Sequence, residues 1–272
     1  MHNYSATMSA RCPGLICFLL DTSLSMAEPY FEGTSKAEFA AQGINKAIAE
    51  LINRCINGDE IRDRCFLSVI SYGESDRGQE AFLNEHVHGL VSDVAAKVGD
   101  TVEIQVFSMG SWQEEQPVWV KPRARGRTPM DKAFDAIYDL CKLKLSEEGM
   151  ENAFPPIVVN ITDGAPNSYA AASKAAERLR NLGTNDGNVL LFNVHIAAAT
   201  EGKEILYPAS DDLFRHNQFA SFLFSISSPL PPPLMRSARQ ADCDPQPGAR
   251  GFLFNASPSE FLKLLIFAST PQ

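Results

Sequence analysis

Three short stretches of this chain place oxygen-bearing side chains where an apolar run stops or an amphipathic one begins. In ICFLLDTSLSM (residues 16–26), aliphatic and aromatic residues end abruptly in Asp21, and hydroxyls follow at Ser23 and Ser25. PPIVVNITDG (155–164) closes in Asp163, and GRTPMD (126–131) brings Thr128 to the head of an amphipathic segment. Two carboxylates and three hydroxyls make an all-oxygen donor set, the chemistry of a hard cation. Mg²⁺ asks for about six oxygens in near-octahedral array and is commonly held by one or two carboxylates, hydroxyls and retained water. No thiol or imidazole lies in these loops, which disfavours zinc or copper.

Taken one at a time, each stretch has a plainer reading. Asp21 with its serines fits an Asx-turn or a helix-entry cap. Thr128 fits an N-cap with Asp131 at the third helical position, and TDG is commonly a turn. Their joint placement gives them weight. In an open α/β sheet, ligands bind beyond the carboxyl ends of the strands where the strand order reverses. The five side chains converge there if the first and fourth strands are neighbours.

The elements that must position them alternate in hydrophobic period. Residues 14–21 form a continuous apolar run, as expected of a strand buried on both faces. Residues 35–55 carry Phe39, Ile44, Ile48, Leu51, Ile52 and Cys55 near helical spacing, and Ser35 with Glu38 fits a capping box. A β-branched and aromatic strand is expected over 64–73, and a helix over 128–145 with Pro129 at its first position. Further strands are expected over 155–164, 188–197 and 251–256. Helices are expected over 170–183, closed by Gly183, and over 257–269. Strand alternating with helix predicts a mostly parallel α/β sheet with helices on both faces. We read 1–272 as one domain with insertions at 74–122 and 199–233. In the first, TVEIQVFSMG and PVWV could pair as a hairpin. In the second, SPLPPP reads as a polyproline connector packed on the domain, or as an SH3-type ligand.

Composition bounds the partners. With 44% hydrophobic and 21% charged residues over 272 positions, the chain has the make-up of a soluble globular protein with ample core. A net charge of −9 argues against nucleic acid as a partner and suits a basic or cation-bearing surface. No apolar stretch approaches the roughly 20 residues of a membrane span, and the N-terminal residues do not read as a signal peptide. Six cysteines form no C-x-x-C pair, and several lie in apolar runs, so a reducing, cytoplasmic setting is expected.

Asp21-Thr-Ser23-Leu-Ser25, then Thr128, then Asp163 in ITDG, together resemble the metal-ion-dependent adhesion site (MIDAS) of von Willebrand factor A (vWA) domains. The resemblance runs from about residue 13 to 269. It implies a Rossmann-like three-layer fold whose mostly parallel sheet has one short antiparallel edge strand, with the first and fourth strands side by side. It also implies that Ser23, Ser25 and Thr128 contact Mg²⁺, with Mn²⁺ or Ca²⁺ as possible substitutes. Asp21 and Asp163 would hold the ion directly or through water, and a partner's glutamate or aspartate would supply the sixth ligand. Leu24 stands where many relatives have glycine, which would stiffen the loop or cover the metal with an apolar side chain. The later text (DGNVLLFNVHI, LFSISSPLPPPLMRSARQ, PGARGFLFNA) is similar to intracellular bacterial vWA proteins of the tellurium-resistance-associated group. That similarity implies a stress-response setting in company with a protein kinase and a PP2C-type phosphatase.

An enzyme is not expected. Ser23 stands where a haloacid-dehalogenase-like phosphatase has its second aspartate, and it cannot protonate a leaving group near neutral pH. Neither G-x-S-x-G nor a P-loop occurs. The competing readings are an adaptor for an AAA+ (MoxR- or chelatase-type) ATPase and a Mg²⁺-dependent hydrolase. The run KPRARGR carries Lys121, Arg123, Arg125 and Arg127 just before Thr128. It is either a solvated loop in an acidic chain or, with Leu24, a surface that steers an acidic or phosphorylated partner. His195 reads as a satisfied core histidine. His86 and His88 alternate on one strand face, as solvated side chains or a transition-metal pair.

Overall fold

The computed structural model describes residues 3–30, 33–74, 81–98, 100–107, 111–196, 204–240, 243–256 and 263–264. Strand β1 (Gly14–Asp21) is buried at every position, which its unbroken apolar run requires when helices cover both sides of a sheet. Among the described residues it belongs to a seven-stranded sheet. The others are β2 (Cys65–Glu74), β3 (Ala81–Leu90), β4 (Ile157–Thr162), β5 (Leu190–His195), β6 (Ile205–Leu206) and β7 (Phe252–Phe254). Their order is β6-β7-β5-β4-β1-β2-β3. Strands β1, β2, β4, β5 and β7 run parallel. An antiparallel edge strand is present as expected, but it is the ten-residue β3 rather than a short one, and the opposite edge adds a second, two-residue one, β6.

The first and fourth strands are neighbours, paired from Ile16↔Ile157 to Leu20↔Ile161. Asp21 and the Thr162-Asp163 step therefore leave the sheet side by side. Side chains alternate across β1. Ile16, Phe18 and Leu20 face α1 (Lys36–Cys55), α2 (Val91–Ala96) and α6 (Pro232–Gln240). Leu15, Cys17 and Leu19 face α3 (Met130–Leu145), α4 (Tyr169–Arg180) and α5 (Gln218–Ile226). The Ser35/Glu38 capping box is formed in both directions at the head of α1. The six cysteines are free thiols. Among the described residues no helix is long and apolar enough to cross a membrane.

Several boundaries differ from the sequence reading. Pro129 lies just outside α3, which begins at Met130. Helix α4 ends at Arg180, before Gly183. Much of 74–122 is part of the main layers, supplying β3 and α2; the rest is a hairpin pairing Asp100–Phe107 with Ser111–Val118. Likewise 199–233 supplies β6 and α5, and SPLPPP is not a polyproline connector throughout. Pro232 and Pro233 start α6, where a missing N–H removes no helical hydrogen bond. The helix expected over 257–269 lies outside the described residues apart from 263–264.

A polar chain crosses the apolar layer beneath α5. The Tyr72 hydroxyl reaches over β1 to donate to Asn160 Oδ1 (2.8 Å), and Asn160 Nδ2 donates to Asn193 Oδ1 (2.9 Å). Asn193 Nδ2 then donates to Ser227 Oγ (2.9 Å), which donates to the Leu223 carbonyl (2.7 Å). Every link is satisfied, so the chain fixes the lateral order of β2, β4, β5 and α5 at little desolvation cost. Asn160→Ala strands two buried polar groups and is expected to cost about 3 kcal/mol. Urea unfolding should show this as a lower midpoint with an unchanged slope.

Candidate metal centre

Asp21 is fully buried at the end of β1, and the fold brings donors to both of its oxygens. The Ser23 main-chain N–H donates to Oδ1 at 2.7 Å, and the Thr162 hydroxyl donates to Oδ2 at 2.6 Å. Thr162 Oγ1 also accepts from the Gly164 N–H at 3.0 Å, so one hydroxyl links β1 to the turn carrying Asp163. The Asx-turn is thus formed by the same carboxylate that faces the other loops. Ser23 and Ser25 share a hydrogen bond between their hydroxyls at 3.2 Å.

The second loop is fastened to the first and third through its main chain. Leu24 N–H donates to the Gly126 carbonyl (3.0 Å) and Arg125 N–H to the Thr22 carbonyl (2.6 Å). Thr128 N–H donates to Asn167 Oδ1, while Asn167 N–H returns a bond to the Thr128 carbonyl, both at 2.9 Å. The Asn167 side-chain amide also donates to Glu74 Oε1 at the end of β2. Thr128 is not the helix cap: Pro129 occupies that position and no side chain caps α3. Gly126 has a φ of +70° and lies so close to β2 that a β-carbon would collide with the Glu74 carbonyl.

In the third loop, Asp163 Oδ2 receives the Lys36 ammonium at 3.2 Å, and the same ammonium reaches Glu28 Oε2 at 2.7 Å. His195 supports this turn from β5. Its Nε2 bonds the Asp163 carbonyl at 3.0 Å, which requires the proton on Nε2. Burial holds the imidazole down at about 4, so it is neutral near pH 7. It is only half satisfied, since Nδ1 is buried without a hydrogen-bond partner among the described residues.

Thus Asp21, Ser23, Ser25, Thr128 and Asp163 all sit on three loops cross-linked by hydrogen bonds at one sheet edge. The rim opens into a depression of about 300 Å³ lined by Ser23, Leu24, Ser25, Arg127, Thr128 and Asn167. Leu24 is 66% exposed on this rim. Burial, reinforced by the charge of Asp163, pushes Asp21 up to about 7, against the opposing hydrogen bonds from Thr162 and Ser23. Among the described residues no cationic side chain pairs with Asp21, and no three His, Cys, Asp or Glu side chains are grouped to hold a metal. A cation here would have to draw on the hydroxyls. The all-oxygen set, with a buried carboxylate whose ionised form lacks a counter-charge, fits a hard divalent ion.

The basic run divides. Arg127 lines the depression, with Nε 4.0 Å from Glu74 Oε2. Arg123 and Arg125 lie over the Phe82 ring of β3, at 5.1 and 4.6 Å from its centroid. Lys121 and Arg123 line a separate groove beside β3. His86 and His88 do not share a face. The pairing of β2 with β3 shifts between Val69 and Ile70, a bulge at residue 86. His86 therefore meets Ser71 Oγ (2.9 Å) on one face, and His88 packs edge-on against Phe66 on the other. Thr162, Asn167, Glu74 and Lys36 were not among the sequence candidates. Only Lys36 left a signal there, as a cation at a helix N-terminus, where the dipole disfavours one.

No family model matches the chain, and no curated protein matches its sequence. Among solved structures it is similar to the pilus adhesin SpaC from Lactobacillus rhamnosus GG. The TM-score is 0.53 at 12% identity, covering 95% of this chain and 30% of that one. The fold is Rossmann-like, a mostly parallel sheet between two layers of helices. Proximal thread matrix protein 1 from the mussel byssus gives a TM-score of 0.48 at 16% identity, covering 94% of this chain and 47% of that one. The manganese-loaded TRAP protein of Plasmodium vivax gives 0.39 at 16% identity, covering 69% and 59%. This chain therefore spans 30% to 59% of the length of these three. At 12% identity the likeness to SpaC shows the arrangement of strands and helices alone.

Two outcomes test this geometry. In EDTA, folded Asp21 keeps its proton up to about pH 7, whereas the unfolded chain releases it near 4. Its contribution to stability therefore falls as pH rises through that window. Urea midpoints at several pH values should show this fall in the wild type, and Asp21→Asn should remove that part of the slope. Gly126→Ala should cost about 2 kcal/mol through strain and collision with β2, read as a lowered melting temperature.

Proposed function

We propose that this chain is a Mg²⁺-dependent protein-recognition module in which a partner's carboxylate completes the coordination of a cation held by Ser23, Ser25, Thr128, Asp21 and Asp163. The observation that carries this reading is the convergence of Asp21, fully buried, and Asp163, whose side chain is 7% exposed, with three hydroxyls beside an open rim. Bound there, the ion supplies positive charge and an exchangeable coordination position. The chain's own part is to hold oxygens at fixed places, exclude water from Asp21 and present Leu24 and Arg127 to whatever docks. Desolvating a partner carboxylate against a chain of net charge −9 is unfavourable unless a cation compensates it. The motif text supports a MIDAS of the vWA type. The downstream sequence supports a cytoplasmic setting like that of the tellurium-resistance-associated group, with a kinase and PP2C-type phosphatase as partners. The reading gives the site no catalytic role.

The test has two stages. Millimolar Mg²⁺ should raise the melting temperature of the wild type by a few degrees and leave Asp21→Asn and Thr128→Ala unmoved. A pulldown from native lysate should then capture a partner in Mg²⁺ and lose it in EDTA or with the double variant Asp21→Ala/Thr128→Ala. Capture that survives excess EDTA would rule out the bridge.

A further inference from the structure

The side chain of Lys36 is the least expected feature at this sheet edge. It is the first residue of α1, where the helix dipole opposes a cation, yet it is only 6% exposed. Its ammonium is spent on two carboxylates from different loops, Glu28 Oε2 at 2.7 Å and Asp163 Oδ2 at 3.2 Å. Its main-chain N–H also donates to the Glu28 carbonyl at 3.0 Å. Glu28 directly follows the 3-10 turn Leu24–Ala27, which carries Ser25. Lys36 thus forms an ionic strap from the first loop to the third, fastened to one of the two carboxylates of the metal reading. That ammonium pairs with Asp163 and Glu28, whereas among the described residues no cationic side chain pairs with Asp21.

We propose that Lys36 is a built-in competitor for the site cation. Its ammonium holds Asp163 in the metal-free chain, and a divalent ion must draw Asp163 away from it or share the carboxylate with a positive charge nearby. Lys36 therefore lowers the affinity for the ion and, through Glu28, couples occupancy to the turn that carries Ser25. The strap also replaces part of the compensation that a metal would give, so the empty site keeps its shape. This rests on the metal reading above, and it deepens that reading by naming what sets the cation affinity.

Calorimetric titration of wild type, Lys36→Met and Glu28→Gln with Mg²⁺, together with melting in EDTA, tests it. Met keeps most of the side-chain volume while removing the competing charge. Lys36→Met should bind Mg²⁺ about ten-fold tighter, yet melt several degrees lower in EDTA because the strap is gone. A merely structural role predicts looser binding in a loosened site, the opposite sign. Glu28, 58% exposed, can be changed without burying anything. Glu28→Gln leaves Lys36 to Asp163 alone and removes a negative charge, so Mg²⁺ binding should weaken several-fold. Unchanged or weaker binding by a folded Lys36→Met overturns the proposal. If that variant does not fold, unchanged or tighter binding by Glu28→Gln overturns it. Mg²⁺ binding to neither the wild type nor any folded variant overturns the metal reading itself, whereas normal wild-type binding with unaltered variants removes only the role of Lys36.

Discussion

Asp21 ends a strand shut off from water along its whole length, and its carboxylate has to be satisfied by groups that the fold carries to it. A buried carboxylate without such groups would be strongly disfavoured in its charged form. The donors come from the next loop, through the Ser23 N–H, and from the neighbouring strand, through the Thr162 hydroxyl. The second donor is available only because β4 pairs with β1 in the observed register. One buried side chain thus ties the loop geometry to the strand order, and the remaining loops are arranged around it.

Each loop is held mainly by main-chain and amide hydrogen bonds, which leaves its hydroxyls for other work. Asn167 is the central fastener: it exchanges bonds with the main chain of Thr128 and donates to Glu74. Gly126 lets the second loop lie against β2 at a distance no side chain would permit. His195, kept neutral by burial, props the Asp163 turn without adding charge. Such a scaffold keeps several oxygens near one another without their collapsing into mutual hydrogen bonds, apart from the Ser23–Ser25 pair. That is the preorganisation a ligand site needs from rigid elements.

The fold was legible where local chemistry repeats itself. An unbroken apolar run marked β1, runs interrupted by a single asparagine marked β4 and β5, and the capping box marked the start of α1. Four of the five candidate ligands were legible because they follow such runs, and Thr128 because it heads an amphipathic segment. The residues that brace them were not, because they matter through contacts far apart in the chain: Glu74 meets Asn167 across 93 positions and Lys36 meets Asp163 across 127. His86 and His88 misled for a related reason, since a bulge changes which face a residue takes and leaves little mark on the sequence. The proline run misled because the same residues suit an extended connector and the first turn of a helix alike.

That bulge in β3 has a consequence for the molecule's life in a crowded solution. A ten-residue outermost strand with unpaired main-chain groups is a template on which another copy's strand can grow. Here the ladder is interrupted at residue 86, Glu85 and His88 project beside the break, and two arginines lie across the ring of Phe82. Such a border is uneven and charged, and it discourages the open-ended stacking by which sheets become fibres. The irregular strand makes the boundary at which this sheet stops.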